Sequence, residues 1–301
     1  MRSPAPLAAA LVVALAGCPS TSTAPQPPPE DWGQRPSPVA TCIGNSDDIL
    51  TADEIAPVDL PLELRAAFLA NGSATVSLPA GWLSEDDDGF VVDLRPETLP
   101  VAADDRQIIE GPAPLSDAWF GADVPGEWHA LIDSATGTRG VFTRTDDAVL
   151  LSGLASEAQD GTAVVYEPSV PLFALPMVDG DSWEVVADAV GLVDGVEYPS
   201  DQGASGVVNL IHRWSFTVDG AGTARLPGAD LRVLRLRLVL RTEAWNSIAG
   251  LFAADTARAT FFVAECAGTV ARLRSGPDEL DADFTVATEV LRFGLSPELL
   301  P

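Results

Sequence analysis

The sequence predicts an all-β protein, in which antiparallel meanders form one or two β-sandwich or half-barrel units after a disordered tether. Two observations predict this class. Apolar and polar residues alternate with a period of two along several runs of the chain, and such alternation is typical of strands with one buried face. The segments between these runs lack the helical periodicity, about 10–15 residues long, of parallel crossovers. We therefore expect the sheets to be antiparallel.

The first alternating run extends from Leu60 to Leu78. Its even positions are mostly apolar and its odd positions mostly polar, with Ala67 and Leu69 as the exceptions. Asn71-Gly72 predicts a hairpin turn inside the run, because this dipeptide readily adopts the positive φ angles of a two-residue turn. Residues 79–126 are irregular and contain one short predicted strand at Phe90–Leu94.

Closely spaced prolines mark a boundary after the next strands. These strands are Glu127–Ile132, a hairpin of Arg139–Thr145 with Ala148–Leu154 across Asp146-Asp147, and Thr162–Tyr166. Pro168, Pro171 and Pro176 follow, and prolines are disfavoured in central strands. We therefore expect an N-terminal β unit at residues 42–167 and a C-terminal β unit at residues 168–301.

The C-terminal unit has the strongest strand signals. Its predicted strands are Asp181–Ala189, Val207–Val218, Leu231–Arg241, Arg258–Cys266, Thr269–Arg274 and Phe284–Phe293. Glycines predict turns at Asp219-Gly220-Ala221-Gly222 and at Ala267-Gly268.

The strand Leu231–Arg241 has a leucine face and an arginine face. Leu234, Leu236, Leu238 and Leu240 share one side, and Arg235, Arg237 and Arg241 share the other. The leucine face indicates a buried surface. Two interpretations of the arginine face remain: a solvated face paired with carboxylates of the neighbouring strand, or a site for an anionic ligand.

The N-terminus predicts export. Arg2 precedes an apolar run from Leu7 to Ala16, which is shorter than the roughly 20 residues that a membrane span requires. The run ends in Leu15-Ala16-Gly17-Cys18, which resembles the lipobox of bacterial lipoproteins. This resemblance implies that residues 1–17 are a signal peptide, and that Cys18 carries acyl chains such as palmitate which anchor the protein to a membrane. Pro19 stands where inner-membrane lipoproteins tend to have Asp, so the resemblance implies the outer membrane, facing either the periplasm or the surface.

Residues 18–41 are the expected tether between Cys18 and the folded part. They are rich in Pro, Ser and Thr, include Pro27-Pro28-Pro29, and show no apolar periodicity. A proline-rich segment of this kind is extended and semi-rigid, and about 20 such residues reach up to about 60 Å.

Further segments are similar to those of uncharacterised exported bacterial lipoproteins rich in β-structure. They are Asp219-Gly220-Ala221-Gly222, Leu226-Pro227-Gly228, Val233-Leu234-Arg235 and residues 264–270. This resemblance implies no particular activity.

The chain has three cysteines. With Cys18 used for lipid attachment, Cys42 and Cys266 remain in an oxidising compartment, where two thiols most often pair. We expect a Cys42–Cys266 disulfide; two separate buried thiols are the alternative.

The charge balance excludes some partners. The chain has 44 acidic residues, 17 basic residues that are all Arg, and a formal net charge of −27. Such a surface repels nucleic acid and anionic lipid headgroups. We therefore expect no nucleic-acid partner, and membrane association only through Cys18.

No catalytic, metal or cofactor site is predicted. The chain has no Lys, which excludes a phosphate-binding P-loop and a Schiff base, and it has no zinc-binding spacing of Cys or His. Its two His residues, His129 and His212, both fall in predicted strands, where packing or surface roles are usual. Residues 42–54 faintly resemble a calcium loop, but Ile43 and Asp48 stand where that loop requires an oxygen ligand and a Gly.

The positions of the seven Trp residues have two interpretations. Trp82, Trp119, Trp128, Trp183, Trp214 and Trp245 lie in or beside predicted strands, and Trp32 lies in the tether. Core packing is the default for Trp in a β protein, whereas an exposed row would stack on sugar rings.

These observations together predict a non-catalytic, lipid-anchored cell-envelope protein with a binding or structural role. One alternative is a carrier that holds a lipid or another apolar ligand in a curved sheet, with the leucine face as part of its wall. Another is an envelope hydrolase that uses acidic residues.

Overall fold

The computed structural model describes residues 45, 47–55, 64–67, 75–95, 97–99, 106–109, 113–133, 137–158, 161–201, 203–226 and 229–292. The lipobox, the tether, Cys42 and the predicted turn at Asn71-Gly72 lie outside the described residues. Within the described residues, no helix has the length and apolar character needed to cross a lipid bilayer.

The described chain is nearly all β, as the sequence predicted. Its strands in chain order are β1 (Ile49–Leu50), β2 (Leu64–Ala67), β3 (Val76–Ser77), β4 (Leu83–Asp86), β5 (Gly89–Asp93), β6 (Arg106–Ile109), β7 (Ala113–Pro114), β8 (Trp128–Asp133), β9 (Thr138–Arg144), β10 (Ala148–Ala155), β11 (Ala163–Ala174), β12 (Met177–Val178), β13 (Ser182–Val193), β14 (Val196–Tyr198), β15 (Ser200–Asp201), β16 (Val207–Leu226), β17 (Ala229–Asn246), β18 (Gly250–Ala264), β19 (Gly268–Ser275) and β20 (Val286–Arg292).

One large sheet contains sixteen of these strands. Its main path runs β3-β20-β19-β18-β17-β16-β13-β11-β10-β9-β8-β7, with β4, β5, β14 and β15 as side branches. Neighbours along this path are antiparallel, but β5 pairs with β16 in parallel at Phe90–Asp93. Two separate pairs, β1 with β12 and β2 with β6, complete the described strands.

The two short hairpins predicted by the sequence are confirmed. Strands β9 and β10 pair across Asp146-Asp147, where Thr145 donates its backbone N–H to the Ala148 carbonyl at 2.9 Å. Strands β18 and β19 pair across Ala267-Gly268. In each hairpin, two turn residues separate two alternating runs that are consecutive in the sequence. Such a local pattern is enough to predict that the two strands pair.

The predicted turn at residues 219–222 is wrong, because β16 continues through it to Leu226. Val218 pairs with Leu236 and Ala221 with Leu234, so β16 has one extra residue there and forms a bulge. Gly220 has a φ of 150°, a conformation that favours glycine. The glycine-rich run therefore bends the strand instead of ending it.

Strand β11 continues through the proline cluster that suggested a boundary between residues 167 and 168. It extends to Ala174 and pairs with β10 on one side and β13 on the other. Register shifts in its pairing with β10 accommodate the stretch around Pro168 and Pro171. The sheet is thus continuous here, and whether two units fold independently stays a prediction.

The two faces of the sheet carry separate cores. On β17, Leu234, Leu236 and Leu238 belong to the larger core, whereas Val233 belongs to a second core on the opposite face, with Phe90 and Phe262. The alternation of side chains along a strand produces this division. The predicted leucine face is therefore a buried face, and its side of the sheet also holds the cavity described below.

Candidate functional site

A cavity of about 470 Å³ lies against the face of the sheet that carries the leucines. This volume is within the range of about 300–1,000 Å³ that small-molecule sites occupy. Its wall is mainly apolar and includes Leu151, Leu210, Leu240 and Phe261. The site can therefore hold an apolar molecule.

Residues from nine strands, β8 to β11, β13 and β16 to β19, form the wall. Trp214 pairs with Leu240, and Leu240 pairs with Ala257 on the next strand. All three residues line the cavity, because paired residues on adjacent strands point to the same face. Arg213, the neighbour of Trp214, lies on the other face, where its side chain is 44% exposed.

A hydrogen-bonded pair of polar side chains lies within this apolar wall. The Tyr166 hydroxyl and His212 Nδ1 are 3.0 Å apart, and both residues line the cavity. Burial lowers the pKa of His212 to about 4 and raises the pKa of Tyr166 above its usual range. Both side chains are therefore neutral at pH 7.

Two buried nitrogens of the wall have no hydrogen-bond partner among the described residues. They are His212 Nε2 and Trp214 Nε1. The two residues are 7% and 5% exposed, and their rings lie 6.1 Å apart, centroid to centroid. Buried polar atoms are nearly always paired in folded proteins, so these two nitrogens distinguish the cavity from an ordinary core.

One end of the cavity has a polar rim where β10, β11 and β13 begin or end. Ser156, Thr162 and Asp194 line it. Asp194 donates its backbone N–H to Thr162 Oγ1 at 3.2 Å, and the Thr162 N–H donates to Ser156 Oγ at 2.8 Å. These bonds connect the strand ends and fix the shape of the rim.

Arginines of β19 line the cavity on another side. Arg272 and Arg274 both take part in the wall, and Arg272 donates through Nε and Nη2 to Glu289 Oε1 on β20. The Glu289 side chain is 9% exposed. The Arg272 charge is therefore compensated by a buried carboxylate beside the cavity.

Asp194 and His212 are too far apart to act as a pair. His212 pairs with Ala187 on β13, and Asp194 follows seven residues later, so the carboxylate is roughly 20 Å along the strand from the imidazole. Within the described residues, no group of three or more His, Cys, Asp or Glu side chains is placed to hold a metal ion.

The arginines of the predicted arginine face are paired with carboxylates, of which Asp219 is on the neighbouring strand β16, Glu243 is on β17 itself and Asp283 precedes β20. Arg235 donates to Asp219 at 2.6 Å, and Arg237 contacts Asp219 and donates to Asp283 at 2.7 Å. Arg241 lies 2.7 Å from Glu243. Asp219 is in the β16 bulge, so the bulge places a carboxylate between two arginines.

The remaining histidine is buried, and the described tryptophans are buried or half-buried. His129 is 6% exposed, and its Nδ1 lies 3.3 Å from Arg139 Nη1. Of the six Trp residues within the described ranges, Trp128 and Trp214 are buried and the others are half-buried. No exposed row of Trp is present in that part of the chain.

The predicted lipid and disulfide residues lie mostly outside the described part. Cys18 and Cys42 are not described, whereas Cys266 is 3% exposed and disulfide-bonded. The segment that follows Cys42 lies close to it, since the Asn45 N–H donates to Glu265 Oε2 at 2.7 Å. The pairing of Cys42 with Cys266 stays a prediction.

The acidic side chains of residues 45–54 have protein partners. Glu54 accepts from Thr51 Oγ1 at 2.7 Å, and Asp48 forms an ion pair with Arg232 at 2.6 Å. Asp47 accepts from the Ile49 N–H at 2.9 Å. These carboxylates stabilise the segment and fasten it to β17.

No protein-family model, curated protein or solved structure is similar to this chain. The site must therefore be interpreted from its own residues. The sequence predicts the leucine face, whereas it indicates only a packing or surface role for His212. The available signal was the alternation Leu210, His212, Trp214, Phe216, which places His212 on the apolar side of its strand.

Proposed function

We propose that this protein is an exported, lipid-anchored binding protein that holds a lipid or another apolar ligand in the cavity of its curved sheet. The observation that carries the proposal is the cavity of about 470 Å³ with a mainly apolar wall. A sheet face that serves only as a core closes against another layer, because empty apolar space forfeits packing contacts. Between a purely structural role and a carrier, the cavity favours the carrier.

Filling the cavity tests the proposal. In Ala257→Phe the new ring enters the space beside Leu240, so we expect the apolar fluorescent dye N-phenyl-1-naphthylamine to lose most of its binding to the purified full-length protein. Ala257 lines the cavity, whereas Ala254, on the same strand, is on the other face and exposed. The matched control Ala254→Phe should bind the dye as the unchanged protein does.

The dye titration has a clear negative outcome. Equal dye binding by the unchanged protein and Ala257→Phe would overturn the proposal. Native mass spectrometry of the protein released from its host membrane provides a second measurement, because a bound lipid adds its own mass to the polypeptide.

The lipid anchor is part of the same proposal and has its own test. The lipobox Leu15-Ala16-Gly17-Cys18 supports it, as does the rule that stable anchoring needs two or more acyl chains. We expect Cys18→Ala to lack acyl mass and to leave the membrane fraction. Membrane retention of this variant would contradict an anchor at Cys18.

A further inference from the structure

The unpartnered nitrogens of the cavity wall indicate what kind of apolar ligand fits. Among the described residues, the Tyr166 hydroxyl hydrogen has no acceptor besides His212 Nδ1, so we assign Tyr166 as the donor. The neutral His212 ring then carries its proton on Nε2. Trp214 Nε1 is always a donor. The wall therefore contains two N–H donors on one strand, two residues apart.

Both donors are buried at a cost. Each nitrogen is closed to water, and a buried donor without an acceptor destabilises a protein. An oxygen acceptor of a ligand would recover part of this free energy, whereas a pure hydrocarbon would leave it unchanged. Both nitrogens are closed to a molecule of the size of water, so an acceptor reaches them only when the side chains around them shift.

The charges around these donors select a neutral acceptor. Tyr166 and His212 are both neutral, and Trp214 carries no charge. The carboxylate end of a fatty acid would be buried there without a cation, which is strongly unfavourable. Three arginines line the cavity further away: Arg258, on β18, is two strands from Trp214 in the sheet order, and Arg272 and Arg274, on β19, are three strands away. Arg258 Nε donates to the Glu279 carbonyl, and Arg272 is bonded to Glu289.

We infer that the ligand is a long-chain acyl ester, whose carbonyl oxygen accepts hydrogen bonds from His212 Nε2 and Trp214 Nε1 while its hydrocarbon chain lies along the apolar wall. This inference rests on the proposed function and specifies the ligand class of the same cavity. No bond is made or broken in the step, which is binding alone.

A comparison of three ligands of equal chain length tests the inference. Dodecane, methyl laurate and laurate would each displace N-phenyl-1-naphthylamine from the full-length protein at pH 7.5. With two added hydrogen bonds, methyl laurate should bind about ten-fold more tightly than dodecane. Laurate should bind more weakly than methyl laurate, because its charge is not compensated.

Two variants remove the donors with little change in shape. Trp214→Phe and the double variant Tyr166→Phe/His212→Phe should each reduce the preference for ester over alkane by about five-fold. Trp183→Phe is the matched control, since Trp183 Nε1 already donates to the Pro171 carbonyl at 2.8 Å and the residue does not line the cavity. Its preference should remain unchanged.

Infrared spectroscopy separates direct bonding from indirect structural effects. The carbonyl stretch of methyl laurate labelled with carbon-13 at the ester carbon should shift to lower frequency when bound, and the shift should shrink in Trp214→Phe. Equal binding of ester and alkane, or a preference that all variants retain, would overturn the inference and leave the proposed function standing. Failure of all three ligands to displace the dye would overturn both.

Discussion

His212 is a neutral histidine within an otherwise apolar wall, and its state depends on its surroundings. Its ring contacts Tyr166 and Trp214, with ring centroids 5.3 and 6.1 Å away. Neither neighbour can stabilise a positive charge on the ring as a carboxylate would. Desolvation therefore determines its protonation, and the pKa is lowered to about 4.

This lowered pKa predicts acid sensitivity. The unfolded chain binds a proton on His212 near pH 6.5 and the folded chain only near pH 4, so the unfolded state takes up the proton first as the pH falls. Protonation of His212 therefore leaves the free energy of unfolding unchanged above about pH 6.5 and lowers it as the pH falls from about 6.5 to 4. The total loss is on the order of 3 kcal/mol. Urea denaturation at a series of pH values measures it.

The double variant Tyr166→Phe/His212→Phe is the control for this titration. It lacks the imidazole and leaves no unpaired tyrosine hydroxyl, so its free energy of unfolding should fall less steeply between pH 6.5 and 4. Identical slopes in the two proteins would show that His212 is protonated in the folded state.

At the scale of elements, the part of β16 that follows its bulge pairs with the side-branch strand β5. Gly222 pairs with Phe90 in the parallel register, and a Cβ atom on Gly222 would lie 2.2 Å from the Phe90 carbonyl oxygen. The close approach of two backbones therefore requires glycine at this position. The Phe90 ring belongs to the second core, so this contact affects packing on that face.

Gly222→Ala should destabilise the protein by about 1–3 kcal/mol, since the backbone of β5 must move away from the new methyl group. Gly276→Ala is the matched control, because a Cβ atom there meets nothing closer than 3.9 Å. Thermal or urea unfolding compares the two variants, and equal stability would contradict the close packing of β5 on β16.

Elements could be predicted from the sequence where their partners are adjacent in the chain. The β9–β10 and β18–β19 hairpins have alternation and turn residues next to each other. The parallel pairing of β5 with β16 joins residues more than a hundred positions apart, and no local pattern reports such a contact. For the same reason, the Tyr166–His212 hydrogen bond could not be predicted from the sequence, because it depends on β11, β13 and β16 being neighbours in the sheet.

At the scale of the whole molecule, the excess of acidic residues determines how folding responds to salt. The formal net charge is −27, and like charges repel more strongly in the compact state than in the unfolded chain. The described arginines relieve this repulsion locally, as Arg232 does at Asp48 and Arg237 at Asp283. The surplus of carboxylates remains.

Added sodium chloride should therefore raise the melting temperature, because ions screen this repulsion. Chloride is preferred to sulfate, since sulfate also strengthens apolar burial. Differential scanning calorimetry over increasing sodium chloride measures the effect. A flat or falling melting temperature would show that the ion pairs already balance the surface charge.

The fastening of residues 45–54 to the sheet has a mechanical consequence. Asp48 is bonded to Arg232, the Asn45 N–H to Glu265, and the Cys266 N–H to the Glu54 carbonyl at 2.6 Å. A force applied to the chain before residue 45 would therefore enter the sheet at β17 and at the β18–β19 hairpin. Because β17, β18 and β19 also line the cavity, a load applied at these bonds would enter strands that form part of the cavity wall.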